Sequence, residues 1–257
     1  MKLVNYSVQD RIGVITLNRP EKRNALSHEL VADIKEALTI AEKDDQVKVV
    51  ILKANGEAFC AGADLEYLQQ LQKFSYEENL QDSNNLKDLF LKIYTHPKVI
   101  IAEVQGHALA GGCGLATVCD FSFAVPNAKF GYTEVKIGFI PAIVTVFLLR
   151  KIGEAKSKEL LLGGDLFSAE QAVQMGLINR VVSPEKLEQE VLETARKLVE
   201  GNSSESMKLT KQMITKVQSE TLMDALNYAA EMNARARGTE DCRKGIAAFL
   251  NKEKLKW

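Results

Sequence analysis

The 257 residues are 46% hydrophobic and 26% charged, and 33 Lys and Arg against 34 Asp and Glu leave a formal charge of −1. A chain of this length buries a large core without covalent staples, contracting from about 41,000 Å² of unfolded surface to about 11,000 Å². The charge balance argues against nucleic acid as a partner, because phosphate binding leaves a basic footprint; a small anionic ligand held by a few local cations stays open.

Four cysteines, Cys60, Cys113, Cys119 and Cys242, form no CxxC pair and have no neighbouring His cluster. Zinc and thioredoxin-type readings fail on that ground, and reduced thiols are expected. Residues 1–11 form neither an apolar signal core nor an Arg/Ser-rich transit segment. The longest apolar run, Ile137 to Leu149, is interrupted by Gly138 and Pro141 and is too short to span a bilayer. A cytoplasmic protein with no membrane partner is expected.

Val14 to Leu17 reads as a strand, followed by the polar turn Asn18 to Asn24. A helix then starts with Ser27 as N-cap, and Val31, Ile34, Leu38 and Ala41 line one of its faces. Val47 and Val49 to Leu52 form a run apolar on both faces, the pattern of a buried parallel strand. Asn55 to Leu65 is a small-residue loop opening a helix, and Phe74 to Leu86 fits either a loop or an exposed helix. Val99 to Val104 is a second buried strand. It runs into Gly106 to Gly114 and a helix to about Cys119, and Phe121 to Val125 is the next strand. Alternating strands and helices point to an α/β fold. Ser168 with Gln171 has capping-box spacing, and Ser183-Pro184 puts proline at a first helical position. From about Gly201 the strands stop, and helices are expected near 204–217, 220–236 and 240–251, the last capped by Thr239.

Two segments place small residues where a buried strand meets a helix start: Cys60 to Leu65, and Leu109 to Gly114. A helix start presents unpaired N–H groups and a partial positive charge, and small side chains let a ligand approach that backbone. Facing each other, two such sites offer two donors to one carbonyl oxygen. Neither GxGxxG nor GxxxxGK(S/T) is present, so nucleotide-fold readings lose support.

The combination is more specific than either loop. Leu17-Asn18-Arg19-Pro20, Asn24-Ala25-Leu26 and Ala58 to Leu65 resemble the crotonase family, also called the enoyl-CoA hydratase/isomerase superfamily. So do Gln105-Gly106, Ala110 to Cys113, Cys119-Asp120, Lys129-Phe130-Gly131, Glu134, Ile137-Gly138, Arg150 with Gly153, and Ala169 to Val182. The resemblance implies a crotonase-like ββα superhelix over residues 1–199 and a C-terminal helical region over 200–257 for oligomerisation and CoA-site closure. It implies an acyl-CoA substrate, no metal or redox cofactor, and a homotrimer or dimer of trimers. Carried over by motif, the N–H groups of Ala63 and Gly111 would hold the thioester oxygen and stabilise an enolate, each such donor being worth about 2.7–4 kcal/mol. Lys22 and Arg23 are expected at the CoA phosphates. The backbone near Ala25, Ala61 and Leu65, with Asp64 between, is expected at adenine and pantetheine, and Phe249 and Lys252 at the closure of the site, in some members from a neighbouring subunit.

Two-base hydratases of this family carry one Glu in the helix after the Gly-rich loop and another some twenty residues later. Here the first position is Gly114 and the second is retained as Glu134. Glu134 lies between Phe130 and Ile137, so burial is expected to raise its pKa. Hydration of a short or branched 2-enoyl-CoA is the leading expectation, with His107, Tyr132 and Glu103 as groups to inspect for help. The alternative is 3-enoyl to 2-enoyl-CoA isomerisation by Glu134 alone, and a non-catalytic CoA- or RNA-binding scaffold is a third reading. A further departure is Pro141-Ala142-Ile143-Val144, whose side chains are expected to reshape the acyl pocket.

Overall fold

The computed structural model describes residues 1–257 apart from the side chain of Leu65. Val4–Gln9 (β1) and Ile12–Leu17 (β2) form an antiparallel hairpin. It extends the strand expected from Val14 and adds a partner that the sequence reading lacks. Its turn residues, Asp10 and Arg11, both have positive φ (52° and 65°), yet carry none of the Asn-Gly or Gly signals that mark such turns. β2 pairs in parallel with Val49–Ala54 (β3), and β3 with Val99–Val104 (β5). Phe121–Ala124 (β7) and Arg180–Val181 (β10) complete a six-stranded sheet in the order β1-β2-β3-β5-β7-β10. β3 and β5 are buried almost throughout, as strands covered on both faces must be. His28–Lys43 (α1) is capped by Ser27, whose Oγ accepts from Leu30 N at 3.3 Å, and buries Leu30, Val31, Ile34, Leu38 and Ala41. Leu187–Gly201 (α7) lies across β2, β3, β5 and β7.

A second sheet contains Ala58–Cys60 (β4), His107–Leu109 (β6), Lys129–Gly131 (β8) and Phe167–Ser168 (β9), in that order. Three times the chain gives one strand to the large sheet and the next to the small sheet, then turns into helix. The helices are Leu65–Leu71 (α2) with Tyr76–Thr95 (α3), then Gly111–Val118 (α4), then Ala142–Gly163 (α5), which breaks at Gly153. This is the expected ββα coil. The undecided stretch from Phe74 resolves into α3, started by a capping box in which Ser75 Oγ accepts from Glu78 N and Glu78 Oε2 from Ser75 N. Ala169–Gln174 (α6) has the Ser168–Gln171 capping box.

Ser204–Val217 (α8), Leu222–Arg237 (α9) and Glu240–Leu250 (α10) follow the last strand, with Thr239 Oγ1 accepting from Cys242 N. α8 is anchored by Lys211, whose Nζ reaches Asp120 Oδ2 at 2.6 Å and the carbonyls of Ile93 and Lys98. These groups flank the N-terminal ends of β5 and β7. Cys60, Cys113 and Cys119 are buried, and burial pushes each thiol up to about 12, so they are protonated core side chains. Among the described residues no helix is long and apolar enough to cross a membrane.

Candidate active site

β4, β6 and β8 run parallel and adjacent, paired at Cys60 with Ala108 and at Leu109 with Gly131. Three segments therefore leave the same edge of the small sheet from neighbouring strands, about 4.8 Å apart. They are Ala61-Gly62-Ala63, Ala110-Gly111 and Tyr132-Thr133-Glu134. The sheet thus brings together the three groups singled out as catalytic from residues 63, 111 and 134.

Leu26 sits between the two amide-bearing loops. Its N–H donates to Gly62 O at 2.6 Å and its carbonyl accepts from Asp64 N at 3.1 Å, forming a bridge opposite Ala63. Leu26 Cδ1 also comes so close to Gly111 that a Cβ there would lie 3.1 Å away. Gly62 has φ +88°, and a Cβ on it would lie 2.9 Å from both Ala110 Cβ and Leu109 O, so only glycine lets the loops meet. Ala110 adopts φ 47°, ψ −124°, a region costing a non-glycine residue about 1–3 kcal/mol. It is held there by Ala110 N donating to Gly131 O at 2.7 Å and Gly114 N donating to Ala110 O at 3.1 Å. This strained residue turns the chain so that α4 begins at Gly111. Among the described residues the N–H groups of Ala63 and Gly111 have no hydrogen-bond acceptor within the protein.

Asp64, expected near CoA, is 4% exposed and is committed to the protein. Its Oδ1 accepts from Glu66 N (2.9 Å) and Tyr67 N (3.1 Å), capping α2, and its Oδ2 lies 2.7 Å from Arg19 Nη1. Burial acts to raise this carboxyl, but the Tyr67 and Glu66 N–H groups and the Arg19 guanidinium outweigh it and hold the pKa below the usual range. Asn24 is fully buried, with Oδ1 accepting from Arg19 N and Nδ2 donating to Asn55 O and Ala58 O at 2.8 and 2.9 Å. Arg19 and Asn24 stand in the recognised motifs, but the sequence reading gives them no role of their own. The structure shows Asn24 fastening the first turn to β4 and Arg19 fastening it to the start of α2. Lys22 is exposed and pairs with Glu66 Oε1 at 2.5 Å, Arg23 is exposed, and its carbonyl accepts from Ala61 N at 3.0 Å. Ala25 is buried beneath them. Leu65 opens α2, while its side chain lies outside the described residues. Phe249 and Lys252 are exposed at the end of α10. Trp257 O accepts from Arg11 Nη1 of the β1–β2 turn at 3.0 Å.

Glu134 begins a short 3-10 turn after β8 and is half-buried. Burial raises its carboxyl above the usual range, and its Oε2 is enclosed without a hydrogen-bond partner. The helical position at which the family resemblance implies another acid is closed in this chain. A Cβ on Gly114 would overlap Val144 Cγ1 and lie 2.8 Å from Phe90 Cε1. Val144 belongs to the departing Pro141-to-Val144 segment at the start of α5, and it fills the place of the missing side chain. Of the three groups held in reserve, His107 is exposed, with Nδ1 accepting from Lys129 N at 3.1 Å. Glu103 is buried and faces Lys53, which also holds Glu188 of α7. Tyr132 is buried, with its Oη 3.0 Å from Thr117 Oγ1.

Residues 7–257 match the family model described as enoyl-CoA hydratase/isomerase. A Thermus thermophilus relative is 43% identical over 244 residues, covering 94% of this chain and 95% of that protein. The crotonyl-CoA hydratase of Syntrophomonas wolfei is 34% identical, over 96% of this chain and 94% of its own length. The crystal structure of the enoyl-CoA hydratase of Mycobacterium smegmatis superimposes with a TM-score of 0.93 at 31% identity, covering 99% of this chain and 98% of that one. A likeness that runs almost end to end in sequence and in fold leaves one assignment: the chain belongs to the enoyl-CoA hydratase/isomerase family.

Proposed function

We propose that this chain is a hydratase-type lyase that adds water to a short or branched 2-enoyl-CoA thioester, or removes it. The observation that carries the reading is the pair of unpartnered N–H groups, Ala63 and Gly111, on strand ends beside the one that bears Glu134. In the forward direction the thioester oxygen accepts from both amides. Glu134 takes a proton from water as the water oxygen bonds to Cβ, and the displaced electron pair moves to the thioester oxygen. Glu134 then returns the proton to Cα, so the product gains the H and OH of one water. The amides act because they are aimed beforehand at the oxygen where charge develops.

In this reading Lys22 and Arg23 meet the CoA phosphates, the backbone of Ala25, Ala61 and Leu65 meets adenine and pantetheine, and Asp64 holds that backbone in place. Phe249 and Lys252 close the site of a neighbouring subunit in a homotrimer or dimer of trimers, with residues 200–257 as the assembling region of a cytoplasmic protein. The chemistry requires no cofactor beyond the substrate's own CoA. The single chain exposes 13,846 Å², roughly a quarter above the expectation for a compact monomer of this size, which supports assembly.

One observation favours a second reading. Val144 and Phe90 occupy the second-acid position, leaving a lone carboxyl of the kind that can shuttle a proton between carbons and move a double bond. Crotonyl-CoA, a 3-enoyl-CoA and 3-methylglutaconyl-CoA, assayed in oxygen-labelled water, separate the two. Label in the product and an at least ~100-fold loss in Glu134→Gln are expected for the lyase. Turnover of the 3-enoyl-CoA alone, without label, establishes the isomerase. Undiminished activity in Glu134→Gln removes both.

A further inference from the structure

Three of the first four residues of α4 are glycines, Cys113 being the exception. The helix that presents the Gly111 amide therefore has one side chain in its first turn, Cys113, whose buried thiol lies against Tyr132. A buried hydroxyl pair adds a second tie to the turn carrying Glu134. Tyr132, two residues before Glu134, is 1% exposed, and its Oη lies 3.0 Å from Thr117 Oγ1. Thr117 Oγ1 also lies 2.9 Å from the carbonyl of Cys113 and 3.3 Å from that of Gly114. Either hydroxyl can donate across the 3.0 Å contact, and Thr117 Oγ1 is also within reach of the carbonyl of Cys113, two residues after Gly111, so the pair ties Tyr132 to the first turn of α4. Burial pushes the phenol well above its ordinary range, so it keeps its proton.

We propose that Tyr132, acting through Thr117, is a positioning residue for the reaction, setting the separation between the Glu134 carboxyl and the ligand oxygen held at the Gly111 amide. The proposal rests on the reading of Glu134 as the acid/base. A phenylalanine would fill the same space, so packing alone does not require the hydroxyl. Buried hydroxyl pairs of this kind specify one arrangement of the elements they join, and a small displacement of a reacting group costs rate far more than it costs fold.

The test compares Tyr132→Phe, Thr117→Val, the double variant, Thr117→Ser and Glu134→Gln in the full-length protein. The substrate is whichever of the three thioesters the parent turns over fastest. Tyr132→Phe is expected to lower kcat ~10- to 100-fold, to leave KM within about twofold, to shift the acidic limb of the pH–rate profile, and to unfold near the parent's temperature. Thr117→Val is expected to match it, the double variant to be no worse than the worse single one, and Thr117→Ser to recover kcat. Parental kcat and pH profile in Tyr132→Phe overturn the proposal, as do strictly additive losses or a loss matched by an equal loss of folded protein. Full activity in Glu134→Gln overturns the acid/base reading and this proposal with it. An inactive Glu134→Gln beside a fully active Tyr132→Phe overturns the positioning role alone.

Discussion

The carboxylate of Asp64 caps α2 with one oxygen and receives Arg19 with the other, so the backbone that aims the Ala63 amide is braced from both sides. Removing one partner of a buried pair strands the other charge, at a cost of about 3–5 kcal/mol. Asp64→Ala is expected to lose stability on that scale in urea denaturation, whereas Asp64→Asn keeps an oxygen for the cap and loses less. Glu134 responds to pH with a defined sign. Its folded pKa lies above the unfolded value because burial disfavours the charge, so the folded chain keeps its proton longer than the unfolded chain does. Stability from this site is full at low pH and declines as pH rises between the two values. Calorimetry is expected to show Glu134→Gln melting above the parent at pH 8, with the difference closing at about pH 4. The same shift moves the rising limb of the activity profile above the usual carboxylate range.

Among the elements, the contact of α4 with α3 and α5 is a tight constraint, because Gly114 meets Phe90 and Val144 with no room for a methyl group. Gly114→Ala is expected to cost about 1–3 kcal/mol through overpacking. Val144→Ala in the same chain is expected to restore part of that, a coupling that a denaturant double-mutant cycle measures directly. Such contacts mark where sequence reading stops. That Gly114 replaces an acid is visible in the motif, but that Val144, thirty residues on, fills the space is not, because it depends on how two helices pack. α3 was ambiguous for a related reason: its first three turns face solvent, and its buried residues, Leu89, Phe90 and Ile93, fall near its end. The two amide loops, by contrast, were legible, since small residues at a strand–helix junction carry their own explanation. The caps at Ser27, Ser168 and Thr239 were legible because their partners lie three residues away.

Across the whole molecule, α8 is anchored beside the N-terminal ends of β5 and β7, α9 and α10 pack on α8, and the reactive loops leave the small sheet, a division that the helical periodicity after Gly201 signals but does not place. His96 ties that framework together. Its Nδ1 accepts from Lys98 N at 3.1 Å and its Nε2 lies 3.2 Å from Leu38 O, the pattern of a neutral ring donating through Nε2. Burial pushes it down to about 4, below its unfolded value, so the unfolded chain takes up the proton first and stability is lost as pH falls from about 6.5 to about 4. The slope from this group is at most about 1.4 kcal/mol per pH unit, and urea titrations of His96→Gln are expected to show it flattened. The ββα coil also separates two quantities that most enzymes vary together. Residues 63, 111 and 134 are spaced by rungs of the small sheet, while the helices between them are excursions pinned at both ends. The length and surface of those excursions are therefore free variables, and a lineage can remodel what surrounds the ligand while the reacting atoms keep their coordinates.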